Sequence, residues 1–302
     1  RDWNRVDFLT SGVFAAHYVN TVSPTFLREI VEDRHPFVEP CLKNELTHKY
    51  YAGCATGILN APEPEFNPAV DELIRYNYGP KNHKKMKAAN KTYLQKILDM
   101  EDNPRAPLFF WPSRLDPVQK GCQLLAQIMF DMVDRYWDQG LQIVSVASGS
   151  FEKHFHDIVR YHGIGSRVAV CGFNEGLSHQ AFAAADFVLM PSAFEPCGLP
   201  QMVGGIYGSL PVVFDTGGLH DTIQPLDPAG DSGNGFVFSV HDAAGLSWAV
   251  DRAMDFYMLD DQTKETQIHR IMIESVLAFN HTRCAEDYIS LYEKMLQRPF
   301  LV

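Results

Sequence analysis

Six short apolar runs, separated by longer amphipathic stretches, constrain the fold of this chain more than any other feature. The runs occupy residues 107–113, 141–148, 167–173, 186–192, 210–216 and 235–239. Each run is nearly continuous in apolar residues rather than alternating, which is typical of strands covered on both faces. Residues 122–139, between the first two runs, have apolar residues at helical spacing. Strands that alternate with helices predict an α/β fold with a doubly wound parallel sheet.

The loops that follow these runs hold the candidate functional residues, because ligands bind beyond the carboxyl ends of strands in such sheets. Successive loops carry Arg114 and Lys120, then Phe173, then Glu195, and then the Gly217–Gly218 pair. Glycines before a helix leave N–H groups that can bind phosphate, and neighbouring cations add positive charge. The sequence therefore predicts a diphosphate site that needs no metal ion.

Several of these residues also have a purely structural interpretation, and the sequence leaves both open. Glu195 could instead accept N–H groups at a helix start. Cys197 has no recognisable base partner, which favours a small buried residue over a nucleophile. His179 is interpreted as a helix residue packed against the sheet rather than as a catalytic base. The basic stretch 81–91 favours a solvated helix or a crossover segment over a polyanion-binding patch.

Charge and cysteine content argue against several classes of function. The 302 residues include 26 Lys and Arg but 37 Asp and Glu, a formal net charge of −11, so general binding to nucleic acid or to anionic membranes is not expected. The six cysteines are scattered, with no CxxC pair, which favours free thiols in a reducing compartment. No apolar run approaches the ~20 residues needed to cross a bilayer.

In their order along the chain, these motifs resemble the C-terminal half of glycogen and starch synthases, which are retaining glucosyltransferases of the two-domain GT-B type. The matching segments are PSRLDPVQKG (112–121), residues 172–201 with SAFEPCGLP, residues 207–222 with TGGLHDT, GFVF (235–238), and stretches at 6–30, 57–68, 87–95 and 279–292. The resemblance implies terminal elements of an incomplete N-terminal domain at 1–60 and a Rossmann-like nucleotide-sugar domain at 61–278. It also implies a crossover helix at 279–302 that packs back on the N-terminal part.

The resemblance also implies a role for each candidate residue. Arg114 and Lys120 match the pair that contacts the diphosphate of ADP-glucose, and Glu195 matches the glutamate beside the glucosyl group. The implied substrate-binding positions are Phe173 stacked on adenine, the amides of Cys197, Gly198 and Leu199 at sugar hydroxyls, and the turn of Thr216, Gly217 and Gly218 at the phosphates.

The implied activity is transfer of glucose from ADP-glucose to the non-reducing end of an α-1,4-glucan with retention, without a metal or other cofactor, in the cytoplasm or in a plastid. The cations would stabilise the leaving diphosphate, and Glu195 would stabilise the cationic sugar or act as a nucleophile. Two alternatives remain open: a related GT-B enzyme with another sugar-nucleotide donor, and a non-catalytic nucleotide-sugar-binding fragment.

This sequence departs from the family pattern at several positions. It has no Lys-x-Gly-Gly-Leu loop, which the family carries in its N-terminal domain, so we expect a fragment with little transfer activity. Ala193 occupies a position where the family commonly has an arginine, and Pro200 one where a threonine is usual. Phe214 and Asp215 occupy positions where basic residues are common. We also expect self-association through an apolar face left bare on the last helix, which includes Tyr288, Leu291 and Tyr292.

Overall fold

A computed structural model describes residues 7–299, within which eight strands form two parallel sheets and twelve helices surround them. The strands are β1 (Val19–Thr21), β2 (Ala55–Gly57), β3 (Leu108–Trp111), β4 (Gln142–Val146), β5 (Val168–Cys171), β6 (Phe187–Met190), β7 (Leu210–Phe214) and β8 (Phe236–Phe238). The helices are α1 (Phe8–Ala15), α2 (Pro24–Val31), α3 (Pro40–Tyr51), α4 (His83–Ile97), α5 (Cys122–Arg135), α6 (Glu152–His162), α7 (Glu175–Ala184), α8 (Pro200–Tyr207), α9 (Gly217–Thr222), α10 (Ala243–Tyr257), α11 (Asp261–Ala278) and α12 (His281–Leu296).

The larger sheet has six strands in the order β5-β4-β3-β6-β7-β8, and all its neighbouring strands are parallel. Each of the six apolar runs contains one of these strands. The predicted α/β fold with a doubly wound parallel sheet is therefore confirmed. The strands are shorter than the runs because each run continues into the loop that leaves the carboxyl edge. The order reverses between β3 and β6, which makes that pair the topological switch point.

Two apolar layers cover the sheet, and β3 shows how successive side chains divide between them. Phe109 and Trp111 join the layer that includes α5, α6 and α10, whereas Leu108 and Phe110 join the layer that includes α4, α7 and α8. All four side chains are fully buried. This division follows from the two-residue period of a strand with helices on both faces.

The helix predicted at 122–139 ends earlier, at Arg135. The Trp137 N–H donates to the Asp134 carbonyl at 3.2 Å, and the Gly140 N–H donates to the Trp137 carbonyl at 3.0 Å. These turn hydrogen bonds replace the helical ones and lead the chain into β4. The spacing of apolar residues does not reveal such a turn, because Trp137 continues the helical pattern.

Residues 83–91 of the basic stretch 81–91 form the first half of α4, but the interpretation of a solvated helix is wrong for one of its faces. Lys87 and Lys91 are only 5% and 3% exposed. The Lys87 amine donates to the Tyr207 carbonyl at 3.0 Å and to Ser209 Oγ at 2.8 Å, and it also contacts the Ala183 carbonyl. It thus binds carbonyls at the carboxyl ends of α7 and α8, where a helix dipole favours a cation.

The N-terminal segment, residues 7–60, carries the smaller sheet of β1 and β2, and its helix α2 packs against α9. Helix α12 returns to this segment: the Asn20 side-chain amide donates to the Tyr288 hydroxyl at 3.1 Å, and the Lys294 amine donates to the Gly53 carbonyl at 2.7 Å. The division of the chain near residues 60 and 278 stays a prediction. Residues 1–6 and 300–302, which the first and last predicted units include, lie outside the described residues. In the part of the chain described, no helix is long and apolar enough to span a membrane.

Candidate active site

The candidate site lies where the loops after β3 and β6 meet, at the switch point of the sheet. The first loop, residues 112–121, ends at Gly121, whose φ is +70°. A Cβ at Gly121 would lie 2.1 Å from the Pro191 carbonyl oxygen, at the start of the second loop. Only a glycine permits this close approach, so the sequence brings the two loops into direct backbone contact.

Lys120 and Glu195, one from each loop, form a buried ion pair. Lys120 Nζ lies 2.6 Å from Glu195 Oε2, and the two residues are 9% and 6% exposed. The Ser192 hydroxyl donates to the same carboxylate oxygen at 3.0 Å. Neither partner is a helix N–H, so the interpretation of Glu195 as a helix-start acceptor is wrong. The arrangement holds one carboxylate and one ammonium together at the carboxyl edge of the sheet.

Arg114 lies in the same loop as Lys120, but it is exposed. Its guanidinium makes only a long contact, 3.4 Å, with the Gln119 side-chain oxygen. Gln119 in turn connects the two loops, since its carbonyl accepts the Ala193 N–H at 2.8 Å. Within residues 7–299 no carboxylate pairs with Arg114, so this guanidinium remains available to an anionic ligand.

Phe173 follows β5 and is placed beside the β3 loop by Ser148. The Phe173 N–H donates to Ser148 Oγ at 2.9 Å, and the Ser148 carbonyl accepts the Leu115 N–H at 3.2 Å. The phenyl ring itself is exposed, with 68% of the residue open to solvent. An exposed ring at this edge offers a flat face to a planar ligand group.

The loop that carries Glu195 rests directly on the turn at the start of α9. The Gly218 N–H donates to the Glu195 carbonyl at 2.8 Å. A Cβ at Gly217 would lie 2.1 Å from the Glu195 carbonyl oxygen, and one at Gly218 would lie 2.0 Å from the Cys197 carbonyl oxygen. Burial raises the pKa of the Cys197 thiol to about 11, which supports the interpretation of a small buried residue rather than a nucleophile.

The turn predicted to meet phosphates already has protein acceptors for two of its N–H groups. The Gly217 N–H donates to Glu29 Oε1 at 3.1 Å, and the Gly218 N–H is taken by the Glu195 carbonyl. The Thr216 hydroxyl also lies 3.2 Å from both oxygens of Glu29. A carboxylate of the chain thus binds the Gly217 N–H in this structure, and the contact of the turn with phosphates stays a prediction.

Sequence reasoning missed Glu29 and its partner His35, both of which are buried. His35 Nε2 lies 3.0 Å from Glu29 Oε2. Burial raises the pKa of Glu29, but hydrogen bonds from His35, Gly217 and Thr216 outweigh it and leave that pKa below the ordinary value. A single acid in an eight-residue helix gives no signal of this kind, since acidic residues on short helices usually face water.

The remaining candidates take structural places near the site. His179, in α7, is 4% exposed; its Nδ1 lies 2.8 Å from Asp71 Oδ2 and its ring stacks on Phe66, so it has a buried structural position. Asp215, just before the turn, pairs with the His220 ring at 2.6 Å. No group of three or more His, Cys, Asp or Glu side chains among residues 7–299 is arranged to hold a metal ion.

Residues 106–255 match the family model described as glycosyl transferases group 1. This segment is a glycosyl transferases group 1 domain. The matched residues begin just before β3 and end within α10, so they include both loops of the candidate site and the Thr216–Gly218 turn.

Glycogen synthases and a starch synthase are among the similar proteins. The chain is 36% identical to a glycogen synthase of Exiguobacterium sibiricum over 95% of its own length, and 33% identical to one of Bacillus subtilis over 96%. It spans 57% of the length of each of these relatives. Among solved structures, the catalytic domain of starch synthase IV from Arabidopsis thaliana, bound to ADP and acarbose, aligns with 96% of this chain and 58% of its own, at 29% identity and a TM-score of 0.82. These similarities support the resemblance inferred from the motifs.

Proposed function

We propose that this chain carries the donor site of a retaining glucosyltransferase, which transfers glucose from ADP-glucose to the non-reducing end of an α-1,4-glucan. The observation that carries the proposal is the buried Lys120–Glu195 pair at the switch point, with Arg114 exposed beside it. The similarity to glycogen synthases supports the reaction. The similarity to a starch synthase domain bound to ADP supports the adenine nucleotide.

The two cations serve the leaving group in this proposal. Cleavage of the bond between glucose and phosphate leaves negative charge on the nucleoside diphosphate, and fixed positive charge lowers the barrier. Arg114 has no carboxylate partner among the described residues, so it is the cation best able to bind the diphosphate. Lys120 adds positive charge from its buried position, where it is oriented by Glu195 at 2.6 Å.

Glu195 then faces the sugar. Departure of the diphosphate develops positive charge on the glucosyl ring, and a carboxylate in a water-poor site stabilises that charge. The acceptor hydroxyl attacks from the face that the diphosphate leaves, and the departing phosphate takes its proton. This order of events retains the anomeric configuration without requiring Glu195 to form a covalent bond.

The other parts of the proposal concern binding and location. Phe173 stacks on the adenine ring, and the amides of Cys197, Gly198 and Leu199 bind sugar hydroxyls. The reaction uses no metal ion, and the acceptor is an α-glucan rather than a nucleic acid or a membrane. A cytoplasmic location, or a plastid one in a plant or alga, belongs to the same proposal.

The test is calorimetric titration of this chain with ADP-glucose and UDP-glucose, together with transfer of labelled glucose to glycogen. We expect ADP-glucose to bind more tightly than UDP-glucose and transfer by this chain alone to be slow. Arg114→Ala removes the free guanidinium and should weaken ADP-glucose binding at least tenfold. The control Arg252→Ala, at an exposed arginine of α10 paired with Asp255, should leave binding unchanged.

Glu195→Gln separates catalysis from binding. Because the amide keeps the shape but lacks the charge, we expect any measured transfer rate to fall at least 100-fold while the dissociation constant for ADP-glucose changes less than threefold. Equal losses in rate and affinity would mean that Glu195 only binds. A preference for UDP-glucose would favour another donor, and a chain that binds no sugar nucleotide would refute the proposed function.

A further inference from the structure

We propose that Glu29 is a positioning residue, which sets the position of the Glu195 loop through the Thr216–Gly218 turn. Glu29 belongs to α2, in the N-terminal segment, and it lies outside the matched residues 106–255. The consequence for glucosyl transfer rests on the proposed function. The positioning itself is a property of the folded chain and can be measured without turnover.

The Glu29 carboxylate is directed almost entirely at the turn. It is 4% exposed, and its oxygens accept from the Gly217 N–H at 3.1 Å and from the Thr216 hydroxyl at 3.2 Å. His35 Nε2 lies 3.0 Å from Oε2. A buried carboxylate with hydrogen bonds at both oxygens has a fixed orientation, because loss of any of these partners leaves a buried polar group unsatisfied.

The Thr216–Gly218 turn is in direct contact with the Glu195 loop, which connects β6 to α8, so a shift of the turn would shift the loop. The Gly218 N–H donates to the Glu195 carbonyl, and neither glycine of the turn has room for a methyl group against the loop. A displacement of the turn toward the loop would therefore displace the backbone of Glu195. The carboxylate of Glu195 is also held by Lys120, so such a shift would strain the 2.6 Å ion pair.

A second contact joins the N-terminal segment to the same loop. The rings of Phe37 and Phe194 have centroids 4.3 Å apart, and Phe194 directly precedes Glu195. His35 packs between them and Phe26, at 5.2 Å from Phe37 and 5.1 Å from Phe26. Glu29 and His35 thus form the polar part of a contact whose apolar part reaches the residue beside Glu195.

Asp221, a second carboxylate between α2 and α9, supplies a matched control. The Asp221 side chain accepts from the Ser23 hydroxyl and from the Thr25 N–H and hydroxyl, the last at 2.6 Å. It joins the same two helices as Glu29 does, but its hydrogen-bond partners within residues 7–299 lie at the start of α2, and none of them lies in the turn or the Glu195 loop. Loss of Asp221 therefore weakens docking while leaving the contacts of the turn in place.

The kinetic experiment compares Glu29→Ala, Glu29→Gln and Asp221→Ala in single turnovers. Each protein is in excess over ADP-glucose and well above the dissociation constant, so that all the ADP-glucose is bound. We expect Glu29→Ala to lower the rate of glucosyl release about 10- to 100-fold, the range expected for a displaced reacting group, with less than a threefold change in affinity. Glu29→Gln keeps an oxygen for Gly217 and should restore the rate to within about threefold. Asp221→Ala should also stay within about threefold.

The second measurement is hydrogen exchange at the Gly218 amide in the unliganded chain. We expect Glu29→Ala to speed this exchange at least tenfold more than Asp221→Ala does, because only the former frees the turn. Equal exchange in the two variants, or a Glu29→Ala effect confined to affinity, would overturn the proposal. If no variant binds sugar nucleotide, the proposed function fails, and the exchange result still decides whether Glu29 positions the turn.

Discussion

Replacement of Lys120 by methionine should destabilise the fold, because it leaves the buried Glu195 carboxylate without its ion-pair partner. At 2.6 Å, and with an effective dielectric constant of about 20, the attraction between the two charges is about 6 kcal/mol before desolvation is subtracted. Removing one member of a buried pair typically costs 3–5 kcal/mol. Glu195 keeps the Ser192 hydroxyl at 3.0 Å, so we expect the lower end, about 3 kcal/mol.

Urea unfolding of four proteins at pH 7 measures this cost: the wild type, Lys120→Met, Glu195→Gln and the double variant. With a slope of about 3 kcal/mol per molar urea, 3 kcal/mol moves the midpoint by about 1 M. The double variant removes both charges, so it should recover at least about 2 kcal/mol relative to the sum of the single losses. A cost below about 1 kcal/mol for Lys120→Met, or additive losses, would refute the view that each charge depends on the other.

Two further predictions concern other parts of the same structure. Gly217→Ala should cost at least about 2 kcal/mol in urea unfolding, because its φ is +45° and its Cβ would meet the Glu195 carbonyl, whereas Gly163→Ala, with φ +65° and no atom within 4 Å, should cost about 1 kcal/mol. Burial lowers the pKa of Lys87 to about 7, so between pH 7 and pH 10 the unfolded chain binds more protons there. The stability of the wild type relative to Lys87→Met should then rise by up to about 1 kcal/mol per pH unit, and a flat difference over that range would contradict the assignment.

The sequence was sufficient for the sheet because each strand is covered on both faces. Phe109 and Trp111 contribute to one layer and Phe110 to the other, so no polar residue interrupts the run. The order of the strands in the sheet could not be predicted from the apolar runs, since every strand of this kind has the same local pattern. The juxtaposition of β3 and β6, which brings Lys120 to Glu195, followed from the general behaviour of doubly wound folds and from the resemblance, not from the strands themselves.

Burial of charge was the feature that local patterns did not predict. In the sequence, Lys87 is one of several basic residues on a polar helix, and Glu29 is an ordinary acidic residue on a short helix. Each is buried because backbone groups from a distant part of the chain meet it: carbonyls at the end of α8 for Lys87, and the Gly217 N–H for Glu29. A sequence pattern contains the charge but not the distant backbone group, so such pairs become visible only in the folded chain.

The placement of Glu29 also changes what the Gly217–Gly218 turn can do. A glycine turn at a helix start is usually considered a phosphate site because its N–H groups have no partner. Here one of these N–H groups holds a carboxylate and the next holds a carbonyl of the Glu195 loop. A phosphate could gain the Gly217 N–H only by displacing Glu29, whose other oxygen would remain beside His35 as a buried negative charge next to the incoming anion. Arg114, exposed and without a carboxylate partner among the described residues, requires no such displacement. In the proposed function, charge repulsion would therefore direct the diphosphate toward residues 112–121, and the turn would hold the Glu195 loop in place.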